Sequence, residues 1–191
     1  SVISRRQLAA SLGMSILPVA EALRRLENEG LVESRPRVGT TVRVPTPQDI
    51  RGNYIVREAL ECQAARLLTE RSTAEARAEL QQKARELDDL SASIDGDPAQ
   101  VQSRTLAFRK RHMHFHMEIA QATGFPALAQ ALEKNHVLVF VALYDSLLGG
   151  PSDPPGWHSQ LMRALCQKDP YKAEDAMRSH VRFGLDSLLS R

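Results

Sequence analysis

Cysteine is scarce. The 191-residue chain has two, Cys62 and Cys166, far apart and without the CxxC spacing of a zinc knuckle. That excludes a disulfide framework and fits buried thiols in a reducing cytosol. Long apolar runs are missing as well: the longest, VLVFVALY at 137–144, is under half of the ~20 residues a membrane helix requires, so it belongs in a core. The N-terminal SVISRRQ has no apolar h-region, hence no visible signal peptide, and the expected compartment is the cytoplasm. An excess of one charge sign is also lacking. With a net charge of +2 and a pI near 8.7, any nucleic-acid contact must come from a local patch rather than a general positive field. What remains, 42% hydrophobic and 25% charged, is the composition of an ordinary soluble globular protein.

The chain reads as two unequal halves. In residues 1–44, Ser4-Arg5-Arg6-Gln7 has the form of a capping box opening a short helix that Gly13 ends. Ser15 caps a second helix with Pro18 in its first turn, where a missing N–H costs nothing, and Gly30 stops it. Val19, Ala22, Leu23 and Leu26 share one face of this helix and predict its buried side. LVESRP and TTVRV then read as two short strands around Arg37-Val38-Gly39, so the first half is a winged helix-turn-helix with Gly39 in the wing turn. PTPQD at 45–49 suits a short stiff linker. Beyond it the 3.6-residue period predicts an antiparallel bundle of about six α-helices over 50–191: 50–71, 73–94, 98–123, 126–148, 155–168 and 170–190. The fold class is therefore mainly α.

Histidine placement carries the most chemistry. Phe108, His112, Phe115, His116 and Ile119 fall on one stripe, which sends His112 and His116 inward and His114 elsewhere. His158 shares a face with Leu161, Met162 and Leu165, and His180 with Ala173, Met177 and Gly184. An unpartnered buried imidazole carries a desolvation cost. Two arrangements relieve it: a hydrogen bond from each ring to a core neighbour, or convergence of the rings on a divalent metal. Nitrogen-rich donors suit Zn, Ni, Cu or Fe far better than Ca or Mg. Around the histidines the sequence displays no carboxylate placed as a catalytic base, and Glu133-x-x-His136 is a single motif where a di-iron bundle needs two.

The order LAASLGMSILPVAEALRRLENEGLVESRPRVGTTV, residues 8–42, followed by an all-helical domain, resembles the GntR family of bacterial transcription regulators in its FadR-like branch, over essentially the whole chain. YIVREALECQAARLL at 54–68 is similar to the branch's Arg-x-x-Leu-Glu first helix. HMHFHMEIAQATG at 112–124 is similar to its Asp-x-x-x-His helix, and WHSQLMRAL and AMRSHV to its two later histidine helices. The resemblance implies a homodimeric, ligand-responsive regulator of operator DNA whose FCD-type bundle binds a small organic acid beside a divalent metal, Zn or Ni here. It implies His116, His158 and His180 as metal ligands, with His112 standing where the branch has aspartate. That exchange removes a negative charge and leaves either a four-imidazole site or a three-histidine site with His112 turned aside. Arg57 matches the family arginine that meets an effector carboxylate; the plainer reading is a surface salt bridge with Glu61.

In the DNA-binding half the resemblance places Arg6 at a family arginine position and Gly39 at the wing glycine. Where the family has Ser-Arg-x-Pro-Val-Arg, this chain has Ser15-Ile16-Leu17-Pro18-Val19-Ala20, so both base-reading arginines are missing and the helix that normally precedes the capping box is absent. Ile16, Leu17 and Ala20 are then suited to thymine methyl groups, with Arg6, Arg35 and Arg37 on phosphates, giving an A·T-leaning site of modest affinity. Arg24 and Arg25 read as solvated surface charge. A ligand-responsive DNA-binding regulator is the leading expectation. An effector-sensing dimer with weakened or lost DNA specificity comes next, and a metal-dependent enzyme last.

Overall fold

The computed structural model describes residues 2–94, 98–144 and 153–189. They divide into two units, Ser1–Thr46 and Pro47–Arg191. In the first, α1 (Arg5–Ser11) is capped by Ser4, whose side chain accepts from the Gln7 amide at 3.4 Å, and α2 (Ile16–Asn28) follows Ser15. Ser15 sits at the cap position without a side-chain hydrogen bond. Both helices stop in the same way. Gly13 and Gly30 take φ of 64° and 76°, and the next amide reaches back five residues, Met14 N to Ala9 O at 3.0 Å and Leu31 N to Leu26 O at 2.9 Å. Ala9, Val19 and Leu23 form the buried centre with Leu26 packed against it, whereas Ala22 is exposed. A small residue at the edge of the stripe has no side chain long enough to reach the core.

The wing is a three-stranded antiparallel sheet in the order β1-β3-β2, from β1 (Val2–Ile3), β2 (Val32–Arg35) and β3 (Gly39–Val42). The sequence shows no sign of β1, whose Val2 faces Thr41 and whose Ile3 faces Thr40. Two residues have no periodicity to detect. Gly39 has φ of 104°, and a Cβ there would lie 2.8 Å from Val2 Cγ1, so both its backbone and its neighbour require glycine.

The second unit is the expected six-helix bundle: α3 (Pro47–Arg71), α4 (Ala74–Ala92), α5 (Pro98–Gln121), α6 (Pro126–Tyr144), α7 (Trp157–Leu165) and α8 (Pro170–Leu189). Four of these begin with proline, which loses nothing at a position whose N–H has no intrahelical acceptor. This is why α3 takes in residues 47–49 of the stretch expected to be linker. The interruption expected at 95–97, the helix end at 145–148 and the loop at 149–152 lie outside the described residues. Thr73 caps α4 by accepting from the Ala76 amide at 3.1 Å, and Asp169 caps α8 by accepting from Tyr171 and Lys172 at 3.1 Å each. α3 packs along α8 and also meets α5, α6 and α7, while α4 meets α5 and α7. Buried alanines at 64, 65, 84 and 173 allow close helix approach around Leu68, Leu87, Met162, Leu165 and Met177. No described helix is long and apolar enough to cross a membrane.

Candidate functional site

The bundle brings its four inward histidines together. His112 and His116 stand one turn apart on α5, His158 is in the first turn of α7, and His180 lies midway along α8. His112 Nε2 is 2.9 Å from His116 Nε2 and 3.2 Å from His180 Nε2. Ligand nitrogens of His112, His158 and His180 all lie within 4.8 Å of one another, and His116 adjoins them through His112. His112 is thus part of the cluster and not turned aside. His114 points outward and pairs with Glu118 at 3.4 Å. The side chain of His136 lies outside the described residues.

Aromatic rings enclose the cluster. Phe108 stacks on His112 at 5.7 Å and 14°, Phe115 meets His116 and His158 edge-on, and Trp157 stacks on His180 at 5.5 Å and 19°. Burial, followed by the neighbouring His116 and His158 rings, holds His112 and His180 well below the usual imidazole range, so both are neutral at pH 7. Neutral rings keep lone pairs available to a cation.

Two carboxylates stand behind the rings, against the expectation that the histidines lack acidic neighbours. Glu61 of α3 meets His116 Nδ1, and Asp88 of α4 lies 2.9 Å from His158 Nδ1. Asp88 is placed to accept the His158 Nδ1 proton and so turn that ring's Nε2 lone pair into the cluster, and the Glu61 contact favours the same orientation for His116. Asp88 also accepts the backbone amides of His158 and Ser159, at 3.0 Å each, so it caps α7 from another helix. Burial pushes the Asp88 carboxyl up, but hydrogen bonds from Ser159 and His158 outweigh it and hold the group below its ordinary value. One signal of this residue was in the sequence. α7 opens at Gly156, which has φ of 68° and no side chain, so its first amides need an acceptor from elsewhere.

Arg57 gives Nε to Glu61 at 2.6 Å and lies 5.3 Å over the Tyr54 ring. The pair is at the expected i, i+4 spacing, but it is no surface salt bridge, since Arg57 is 5% exposed. Burial works against its charge, and Glu61 more than restores it. Arg57, Glu61 and His116 therefore form one buried chain of contacts from α3 to α5.

In the first unit the recognition-helix residues present an apolar tip. Ile16 is 49% exposed and Leu17 69%, Ser15 is open to solvent and Ala20 is half-buried. Arg6, Arg35 and Arg37 are all exposed. Arg37 has φ of 65° in the wing turn, and Arg35 pairs with Glu33 at 3.0 Å. A concavity of about 530 Å³ gathers Arg6 and Arg35 with Arg5, which the sequence did not single out, above Ser34, Gly39 and Thr40. The unit therefore combines an uncharged projecting helix start with a basic recess beside the wing.

Residues 1–42 match the bacterial regulatory proteins of the gntR family, and residues 54–183 match the FCD domain. Relatives include a probable D-xylose utilization operon transcriptional repressor of Paenarthrobacter nicotinovorans, 29% identical across 94% of this chain and 75% of its own length. An HTH-type transcriptional regulator of Streptomyces ambofaciens is also 29% identical, across 98% of this chain and 76% of that protein. Among solved structures, E. coli McbR/YncC superposes with a TM-score of 0.79 at 23% identity, covering 99% of this chain and 86% of the other. A GntR regulator from Rhodococcus sp. RHA1 gives 0.72 at 21%, covering 99% and 87%. These relatives are regulators and not enzymes. With a gntR-type winged helix followed by an FCD domain, the chain belongs to the GntR family of bacterial transcription regulators, in its FadR-like branch.

Proposed function

We propose that this regulator is ligand-responsive: its bundle holds a divalent transition metal, Zn or Ni, among His112, His116, His158 and His180, and binds a small carboxylate effector beside it. The observation that carries the reading is the convergence of ring nitrogens with two Nδ1 atoms already committed to carboxylates. Metal bonds of about 2.0–2.1 Å in a tetrahedral site separate neighbouring ligand atoms by roughly 3.3–3.4 Å. The two measured separations, 2.9 and 3.2 Å, need only a small spreading of the rings to reach that value. Without a cation the arrangement is poorly satisfied. A single Nε2 proton on His112 serves one of its two neighbours, and His158 Nε2 is buried without a hydrogen-bond partner among the described residues. Imidazole donors favour zinc and nickel over calcium and magnesium.

A bound metal supplies a position for one effector oxygen. Arg57, whose Nε holds Glu61, is suited by its planar guanidinium to the rest of the carboxylate. The first unit grips double-stranded operator DNA as a homodimer in the cytoplasm, with Ser15, Ile16, Leu17 and Ala20 toward the bases and Arg6, Arg35 and Arg37 toward phosphates around the Gly39 wing. Effector binding changes operator affinity through a coupling free energy between the two sites.

Metal analysis after chelation and dialysis against zinc or nickel tests the centre. One ion per chain is expected in the wild type, with loss in His116→Ala and His158→Ala; no metal in any sample would sink the reading. Selection from random DNA tests the reader. An A·T-leaning motif supports apolar readout by Ile16 and Leu17, and a guanine-anchored motif overturns it. Those same exposed apolar residues favour a second reading, an effector-sensing dimer with weakened DNA specificity. Binding that falls steeply with salt and shows no sequence preference would identify it.

A further inference from the structure

α3 carries side chains suited to packing on two opposite sides. Tyr54, Arg57, Glu61, Ala64, Ala65 and Leu68 share the side turned into the bundle, and all are buried. At about 100° per residue, Ile55, Ala59 and Gln63 project from the other side with Val56 beside them, and all four are exposed. Ile55 is 70% exposed and Val56 48%. A helix whose outer side meets only water carries polar residues there. Two large apolar side chains next to an alanine on that side are instead the mark of a surface that another molecule covers.

Ile55 and Ala59 line a concavity of about 480 Å³ between α3 and α8, and its remaining edge is ion-paired. Arg182 holds Glu58 through two contacts at 2.8 and 2.9 Å, and Arg66 reaches Glu174 at 3.0 Å. An apolar centre with a rim of both charge signs is the anatomy of a protein interface. The surface also complements itself. Ile55 projects, and Ala59 one turn on leaves a recess. About a two-fold axis passing between them, Ile55 of each copy falls on Ala59 of the other. The position suits a reader of two half-sites, because α3 begins at Pro47, directly after the first unit ends at Thr46. Antiparallel α3 helices crossing at that axis place their two Pro47 positions roughly 30 Å apart, close to the about 34–36 Å between half-sites one DNA turn apart. We propose that Ile55, Val56 and Ala59 form the surface on which a second copy of this chain docks, with the Glu58–Arg182 pairs at its rim. This rests on the homodimer of the reading above and adds the face on which that dimer forms.

Sedimentation velocity on the full chain over a range of micromolar concentrations tests the face. The wild type should be dimeric. Ile55→Asp should raise the dimer's dissociation constant about a hundredfold or more, since each dimer loses two buried isoleucines and gains two carboxylates. Its far-UV circular dichroism should match the wild type, because the residue is exposed in the single chain. Cross-linking gives a second measurement that needs no disruptive change. Ala59→Cys treated with a short bismaleimide should yield a covalent dimer, whereas the wild type, and Ser103→Cys on the exposed side of α5, should not. Ile55→Asp that folds and dimerises as tightly as the wild type, or a dimeric Ala59→Cys that fails to cross-link, overturns this face and moves the dimer to another surface. A wild type that remains a single chain at every concentration overturns the homodimer reading, and this face with it.

Discussion

Acidification of the metal-free protein should weaken the bundle by an amount that two residues largely set. Burial and the neighbouring rings hold His112 and His180 well below the ordinary imidazole range. The folded state therefore binds fewer protons at these positions than the unfolded chain, and acid favours unfolding. Their contribution is complete above about pH 6.5 and is lost as the pH falls below it. Between pH 7.5 and 5.5 an unfolded-state imidazole gains about 1.4 kcal/mol from protonation, so the two together remove about 3 kcal/mol. For a chain of this size that is a fall of roughly 6–12 °C in Tm. Trp157 is the only tryptophan and stacks on His180, so its fluorescence follows the bundle alone. Urea unfolding in chelator at pH 7.5, 6.5 and 5.5 measures the slope, and His112→Gln should halve the loss. A stability that stays flat or rises on acidification, or a slope unchanged in His112→Gln, would refute the argument.

Asp88→Ala removes two amide acceptors from α7 and the partner of His158 Nδ1, so it should cost about 1–3 kcal/mol in urea unfolding and weaken zinc binding by roughly 10–100-fold. Asp88→Asn, which keeps an acceptor oxygen, should recover part of both losses. Gly52 lies inside α3 with open space where a Cβ would go, and Gly52→Ala should stabilise the bundle by about 0.5–1 kcal/mol, read as a rise in Tm. Gly39→Ala meets both a positive φ and the 2.8 Å approach of Val2, and should cost the first unit about 1–3 kcal/mol. Hydrogen exchange should show that loss in residues 2–46, with the bundle amides unchanged.

What the sequence revealed, and what it hid, follows from the range over which each signal acts. Helix limits are local events. Proline at the first position of α3, α5, α6 and α8 and glycine after α1 and α2 mark them within a turn, and the expected six-helix bundle follows. The inward histidines are legible for a related reason, because i, i+4 spacing beside Phe108, Phe115 and Ile119 settles which face of α5 is buried whatever it packs against. β1 is different: two residues acquire their conformation from a strand nearly forty positions away.

The carboxylates behind the rings expose the same limit more sharply. Glu61 sits four residues after Arg57, a spacing that on an exposed helix describes a solvated ion pair, and only the approach of α5 makes it a partner of His116. Asp88 stands in an Asp-Asp pair on a charged helix and becomes an acceptor because α7 arrives with no side-chain cap of its own. Periodicity identifies the face of a helix that is buried, but the chemistry of a site depends on what the opposing helix brings. The histidine cluster is therefore not without negative charge. Glu61 and Asp88 supply it behind the rings, where it sets ring orientation and raises the basicity of the ring nitrogens that face the cluster.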